Sequence, residues 1–129
     1  NYPQVFDLIV FCETLEHLYT APEYVLLMLK YLLSPTGIIV LTTPNAVSFH
    51  KRVIFLRGKN PAEKLRFYQT NPGDYRQYTR EEMIDIADKC GLRIAECRNI
   101  NFRSSKYLVI RLIQRLPKLK DSIYAVLSR

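Results

Sequence analysis

The chain has 129 residues, of which 48% are hydrophobic and 24% charged. This balance predicts one folded domain and excludes a disordered chain. No apolar run reaches the roughly 18 to 20 residues that a membrane-spanning helix requires. The three cysteines are odd in number and lack metal-ligand spacing, which favours a reducing cytoplasm as the compartment.

Charge is unevenly distributed along the chain, whose formal net charge is +7. Residues 1–45 contain one basic residue against four acidic ones, whereas residues 46–129 contain eighteen basic residues against eight acidic ones. The basic part predicts an anionic partner, such as a phosphorylated substrate, a nucleic acid or lipid head groups. A solvated basic surface explains the same charges equally well.

The first third of the chain has the pattern of a βαβ unit. Residues 5–11 form a nearly continuous apolar run, which predicts a strand buried on both faces of a parallel sheet. Thr20-Ala-Pro-Glu23 predicts a capping box at the start of a helix, and Ser34-Pro-Thr-Gly37 predicts the turn that ends it. Residues 37–43 follow as a second apolar strand, so we expect a parallel pair with a right-handed crossover.

The remaining elements extend this unit into an α/β layered domain. Residues 46–57 predict a basic amphipathic helix and residues 58–78 a loop. Thr79-Arg-Glu-Glu82 predicts a second capping box, and Gly91 is placed to end that helix. The last predicted elements are a strand over residues 92–100, an apolar and basic helix over 104–116, and a strand over 122–127. Because the first strand has the composition of an interior strand, we expect further sequence before Asn1.

The stretch Phe6-Asp-Leu-Ile-Val-Phe-Cys-Glu-Thr-Leu-Glu-His-Leu18 is the most informative, because ligands bind beyond the carboxyl ends of strands in open α/β sheets. It resembles the class I S-adenosylmethionine-dependent methyltransferases, in which an aspartate-led fourth strand ends in Glu-x-x-Glu-His-Leu. The likeness continues in family order through residues 32–37, 41–45, 75–82 and 90–92.

The resemblance implies an α/β, partial Rossmann-like methyltransferase fold. Residues 1–129 would be the C-terminal part of a single methyltransferase domain and would supply strands four to seven of a seven-stranded sheet, the last antiparallel. The N-terminal half would be missing, and residues 46–78 would be a substrate-side insert.

The resemblance also implies S-adenosylmethionine as cofactor, with Cys12 and Glu13 lining its pocket. The family's glycine-rich loop is not among these residues, since none of the four glycines forms Gly-x-Gly-x-Gly. The acidic end of the second strand, which holds the ribose in the family, is not among them either. We therefore expect these residues by themselves to bind the cofactor poorly and to be inactive.

A divalent metal, such as Mg²⁺, is a further implication. In the ubiquinone-biosynthesis O-methyltransferases and the small-RNA 3′-end 2′-O-methyltransferases, a similar Glu-x-x-Glu-His motif binds a divalent cation. Glu13, Glu16 and His17 are spaced to share one helical face, and their donors suit a cation that polarises a substrate hydroxyl. The RNA enzymes have a further histidine ligand near the position of Asp74. An aspartate there could still bind a hard cation, but it weakens the RNA assignment. Alternatively, Glu13 and Glu16 only favour a helix N-terminus and His17 packs against a loop.

Four other residues are candidates on the substrate side. Tyr75, Arg76 and Tyr78 match the stretch that faces the substrate mouth in relatives, where an arginine suits an anionic group, although a structural latch is equally plausible. His50 is a weak candidate for a general base and is otherwise a surface residue.

The sequence thus predicts methyl transfer from S-adenosylmethionine, to an oxygen of a small-molecule, sugar or lipid-linked anionic acceptor. The protein would be cytoplasmic and, through its basic amphipathic helices, in peripheral contact with an anionic membrane. One alternative is an RNA 2′-O-methyltransferase with a divalent metal, with nucleic acid as partner. Another is a non-enzymatic remnant that serves as an interaction domain.

Overall fold

The computed structural model describes residues 6–66, 72–102, 112 and 115–129. In these residues the strands are β1 (Phe6–Cys12), β2 (Leu33–Pro44), β3 (Arg93–Ile100) and β4 (Ser122–Ser128). The helices are α1 (Pro22–Leu32), α2 (Phe49–Leu56) and α3 (Arg80–Lys89), with short 3-10 turns at Leu15–His17 and Pro117–Leu119. The helix predicted over 104–116 lies almost wholly outside the described residues, as does the start of the first predicted strand at Val5.

The described strands form one sheet in the order β1-β2-β4-β3. β1 and β2 are parallel and are connected through α1, whereas β4 is antiparallel to both of its neighbours. The βαβ unit, the antiparallel last strand and the α/β fold class are therefore confirmed. The last strand inserts between β2 and β3, so the order along the sheet differs from the order along the chain.

The hydrophobic core lies between one face of the sheet and the helices α1 and α3. It includes residues from β2 and β4 that alternate along each strand, as expected for one buried sheet face: Ile39, Leu41, Ile123, Ala125 and Leu127. Val25 and Leu26 of α1 and Met83, Ile86 and Ala87 of α3 cover them.

β1 is exposed on one face, in contrast to the prediction of burial on both. Its Phe6, Leu8 and Val10 are 47%, 54% and 65% exposed, whereas Ile9 and Phe11 pack against the core. The continuous apolar run predicted two covered faces, but the described residues cover only the face that carries α1.

Two predicted boundaries are wrong. α1 has Ala21 as its N-cap, with no side-chain cap, because the helix begins at Pro22 and not at the predicted capping box of Thr20. The predicted turn at Ser34–Gly37 is instead an irregularity inside β2, where the register to β1 shifts between the pairs Phe6–Leu33 and Leu8–Ile38. A side chain at Gly37 would meet the Phe6 carbonyl oxygen at 2.8 Å, which explains the glycine.

α2 is shorter than its prediction and has no buried residue. Asn45 holds the segment before it in a turn: its N–H donates to the Asp121 carbonyl at 2.9 Å, and its side-chain oxygen accepts from the Val47 N–H at 3.1 Å. The N–H of Ala46 donates to the Tyr78 carbonyl at 2.8 Å. These bonds delay the helix start to Phe49, after the N-cap Ser48.

Candidate functional site

The carboxyl ends of β1 and β2 lie side by side, with Cys12 opposite Thr42. Cys12 is exposed there. Glu13, the next residue, has a φ of 47°, in the left-handed region that non-glycine residues rarely adopt. Its N–H donates to the Thr42 carbonyl at 2.9 Å, which fixes the turn by which the chain leaves the sheet. Both predicted cofactor residues are therefore at the edge of the sheet where ligands bind in α/β folds.

Glu16 is held inside the protein by this turn. Its side chain is 1% exposed, and its Oε2 accepts a hydrogen bond of 2.9 Å from the Thr43 hydroxyl. Its carbonyl oxygen accepts from the N–H groups of Tyr75 and Arg76, at 2.7 and 3.2 Å. Burial raises the pKa of Glu16, while hydrogen bonds act in the opposite direction. Glu16 thus connects the end of β2 to the loop before α3.

His17 faces that same loop. Its Nδ1 lies 3.0 Å from the Gly73 carbonyl oxygen, and 3.7 Å from Oδ1 of Asp74. Its Nε2 lies 3.9 Å from Oε1 of Glu16. Since a carbonyl oxygen only accepts, Nδ1 is the nitrogen placed to donate to Gly73.

Glu16, His17 and Asp74 form a group in which one ligand atom from each lies within 4.8 Å of the others. Two carboxylates and an imidazole fit a divalent cation such as Mg²⁺ or Mn²⁺. A histidine ligand commonly donates its other ring N–H to a backbone carbonyl, which is the contact that His17 makes with Gly73. A bound cation would also favour the ionised form of Glu16, which burial disfavours.

The composition of this group differs from the predicted set of Glu13, Glu16 and His17. Glu13 is not part of the group, because the left-handed turn separates it from the 3-10 turn that carries the other two. The third member of the group is Asp74, which lies where the RNA enzymes have a histidine. Whether either set binds a cation stays a prediction.

Gly73 makes the approach of Asp74 to His17 possible. It has a φ of 87°, and a Cβ atom there would lie 3.0 Å from the Lys64 carbonyl oxygen. Any other residue would therefore strain or displace the loop.

Lys51 and Gln77 extend the polar group and were not singled out by the sequence. Gln77 donates to Asp74 through Nε2 and accepts from the Lys51 ammonium through Oε1. Lys51 also donates to the Asn45 carbonyl at 2.9 Å. Burial lowers the pKa of Lys51 below its usual value. Four carboxylates oppose this shift without cancelling it: Asp74, Asp121, Glu13 and Glu16. No sequence signal identifies these residues, because Lys51 and Gln77 are ordinary polar residues of a helix and a loop.

The predicted substrate-side residues take three different positions. Tyr75 is 49% exposed and its ring lies 4.1 Å from that of Tyr19, centroid to centroid. Arg76 pairs with Glu82 at 3.0 Å and lies over the Tyr78 ring at 5.2 Å. Tyr78 is 1% exposed and belongs to the hydrophobic core, where burial raises its pKa. Tyr75 and Arg76 thus line the cavity beside Asp74, together with Lys51 and Gln77.

His50 is exposed on α2 and lines a different cavity, with Phe49, Val53 and Asp121 among its walls. It is not in the group formed by Glu16, His17 and Asp74. Its role as a general base stays a prediction.

No described helix is long and apolar enough to cross a membrane.

Solved structures with the same arrangement of strands and helices are S-adenosylmethionine-dependent methyltransferases. A structure from Archaeoglobus fulgidus described as such an enzyme shares 17% identity, with a TM-score of 0.57 over 95% of this chain. The chain has part of the class I methyltransferase fold. A chain of the Haloferax volcanii complex between the Trm112 methyltransferase activator and a methyltransferase matches with the same TM-score and coverage, at 14% identity.

The small RNA methyltransferase HEN1 also has this fold, with 19% identity and a TM-score of 0.57. The present chain covers 53% of the Haloferax chain, 59% of the Archaeoglobus chain and 14% of HEN1. It therefore spans about half the length of the first two methyltransferases. No protein-family model and no curated protein match the sequence.

Proposed function

We propose that this chain forms the acceptor-side half of a methyltransferase that transfers the methyl group of S-adenosylmethionine to an oxygen atom. The observation that carries the proposal is the position of the polar group, at the carboxyl ends of two adjacent parallel strands of a methyltransferase fold. A cavity of about 200 Å³ adjoins it, lined by Lys51, Asp74, Tyr75, Arg76 and Gln77. Residues 46–78 would form the acceptor side of the enzyme.

The residues divide the work between cofactor and acceptor. Cys12 and Glu13 would line the cofactor pocket, and bound S-adenosylmethionine would supply the methyl group. Arg76 and Lys51 offer positive charge to an anionic acceptor, and Tyr75 offers an exposed ring edge. Positioning of the acceptor oxygen in line with the methyl group accounts for most of the rate of such reactions.

A titration with S-adenosylhomocysteine tests the division into two halves. Because none of the four glycines forms the family's glycine-rich loop, we expect the 129-residue chain to bind this ligand weakly, with a Kd in the range of about 1 mM or above. The same chain joined to a glycine-rich first half is expected to bind at micromolar concentration. Cys12→Trp should weaken that binding at least tenfold, whereas Arg93→Trp, on exposed β3, should leave it unchanged. Tight binding by the 129 residues, or an unaffected Cys12→Trp variant, would contradict the assignment.

The group of Glu16, His17 and Asp74 favours a second candidate, metal-assisted 2′-O-methylation of RNA. HEN1, a small RNA methyltransferase, shares the fold, and the basic part of the chain suits a polyanion. Glu16, His17 and Asp74 would hold the cation, which when bound would polarise the acceptor hydroxyl. Gln77 and Lys51 would keep Asp74 in place.

Calorimetric titration with Mn²⁺ tests the cation site without any assay of activity. We expect Asp74→Asn and Glu16→Gln each to weaken binding by roughly 10- to 100-fold, in the range seen when supporting or ligating groups of metal sites are altered. Asp88→Asn, an exposed carboxylate of α3, removes the same charge elsewhere and should have no effect. Equal affinities for all four proteins would exclude the site. Strong Glu13→Gln effects with an unaffected Asp74→Asn variant would instead favour the ligand set predicted from the sequence.

A further inference from the structure

The surface formed by α2 and the segment after it is apolar and cationic at the same time. Phe55 and Leu56 are 69% and 83% exposed, although α2 has the composition of an amphipathic helix. They line a groove of about 450 Å³ together with Lys51, Arg52 and Pro61. We call this surface, residues 49–61, the α2 surface.

Charge along the segment that forms the α2 surface is almost all of one sign, although Asp121 lies beside Arg57 in a neighbouring cavity. Residues 46–66 contain six basic residues and one acidic residue, Glu63. Arg57 and Lys59 are exposed directly after the helix. Such a field attracts polyanions and anionic lipid head groups alike.

The apolar side chains distinguish between these two partners. Leu56 is aliphatic and cannot stack on a nucleotide base, and Phe55 shares its groove with Ala46, Val47 and Pro61 and with no other aromatic residue among those described. Helices that bind at a bilayer surface place such side chains below the head groups and basic residues among them. RNA recognition relies instead on stacking platforms and polar contacts to bases.

We propose that the α2 surface docks this protein on a membrane that contains anionic phospholipid. Phe55 and Leu56 enter the interface, while Arg57 and Lys59 contact lipid phosphates. Lys51 lines both this groove and the cavity beside Asp74, so a docked protein holds the candidate site at the bilayer surface. The docking itself does not depend on methyl transfer, but its consequence, a lipid-linked acceptor, rests on the proposed function.

Vesicle co-sedimentation with the full chain tests the docking. We expect binding to vesicles of phosphatidylcholine mixed with phosphatidylglycerol and little binding to phosphatidylcholine alone. The double variant Phe55→Ser/Leu56→Ser should lose about tenfold or more of the affinity. Leu27→Ser/Met28→Ser, which removes two apolar side chains of α1 that are about half exposed, is the control and should bind as the parent does.

A second pair of variants separates specific docking from general attraction. Arg57→Gln/Lys59→Gln should weaken binding roughly tenfold. Arg93→Gln/Arg115→Gln has the same net charge as that variant, but its substitutions lie outside the α2 surface. It should change vesicle binding by less than about threefold. Circular dichroism of each variant verifies that the fold is retained.

RNA supplies the contrary outcome. Two results together would overturn the proposal in favour of a nucleic-acid surface. The first is salt-sensitive binding of the full chain to a single-stranded RNA that Arg57→Gln/Lys59→Gln reduces and Phe55→Ser/Leu56→Ser does not. The second is no binding to anionic vesicles. Equal vesicle binding by every variant would also overturn it. Since vesicle binding is measured without an acceptor or cofactor, neither result depends on whether the protein transfers methyl groups.

Discussion

Thr79 and Glu82 fix the start of α3 by exchanging two hydrogen bonds. The Thr79 hydroxyl accepts from the Glu82 N–H at 3.2 Å, and the Glu82 carboxylate accepts from the Thr79 N–H at 2.7 Å. Arg76 donates to the same carboxylate at 3.0 Å. Burial alone would raise the pKa of Glu82, but the hydrogen bonds from Thr79 and Arg76 outweigh it and hold the pKa below its usual value.

This pKa shift predicts how the stability contributed by Glu82 depends on pH. A carboxyl group with a lowered pKa stabilises the folded state above its unfolded-state pKa, and the contribution is lost as pH falls through the folded-state value. Glu82→Gln keeps the side chain's shape but removes its charge, so we expect its Tm to be lower at neutral pH by roughly 1–3 °C. Below the folded-state pKa of Glu82, where its carboxyl group is protonated, the two proteins should melt together.

Glu81→Gln is the matched control for that measurement, because Glu81 lies in the same first turn but has no hydrogen bond to Thr79 or Arg76. It should show only the smaller helix-dipole effect. Equal losses for both variants would mean that the helix dipole alone, and not the capping box, lowers the pKa of Glu82.

At the residue scale the sequence located the candidate site in part. Glu16 and His17 were singled out by the family resemblance together with their spacing, and Thr79 and Gly91 mark the ends of α3 as predicted. The resemblance pointed to Asp74 as a position near a further ligand, but only the structure shows its approach to His17, which depends on a loop more than 50 residues along the chain that folds back to bond the Glu16 carbonyl. Tyr78 was predicted on the substrate side by resemblance, but only packing shows that its side chain lies in the core.

At the scale of elements, β1 and α1 both expose apolar side chains. Leu8 and Val10 lie on the open face of β1, and β1 has a single neighbouring strand among those described. Tyr24, Leu27, Met28, Tyr31 and Leu32 of α1 line an apolar groove. Exposed apolar edge strands favour self-association.

We therefore expect the 129-residue chain, expressed by itself, to associate in a concentration-dependent manner in sedimentation equilibrium. Leu8→Lys/Val10→Lys should shift it toward the monomer, because each substitution places a charge in the apolar contact. Leu65→Lys/Leu112→Lys adds the same two charges at leucines of similar exposure elsewhere and should leave the association in place. If the parent chain is monomeric, the open face of β1 does not mediate self-association.

The strands and helices themselves were predicted with different success. α3 and β4 follow their patterns closely, because capping residues and alternating apolar positions act locally. α2 is shorter than predicted, because hydrogen bonds of Asn45 and of the Tyr78 carbonyl hold the residues before it against the loop. Phe55 and Leu56 at its end are exposed.

At the scale of the whole molecule, the topology of the sheet creates the candidate site. The parallel pairing of β1 and β2 places Cys12 beside Thr42, so that the chain turning away from β1 meets the end of β2. The antiparallel β4 fills the sheet between β2 and β3 and anchors Asn45 through residues 118–121. The polar group at the sheet edge is thus supported by segments from the whole length of the chain.

The sequence by itself determined the α/β class, the βαβ unit and the position of the Glu-x-x-Glu-His turn, because periodicity and local motifs act over a few residues. The antiparallel last strand was implied only by the resemblance to methyltransferases. Only the tertiary structure decided that Asp74 joins Glu16 and His17, that Lys51 and Gln77 support it, and that α2 stays uncovered. Those outcomes depend on contacts between residues distant in the chain, and they follow from the order of strands in the sheet and the return of the loop before α3.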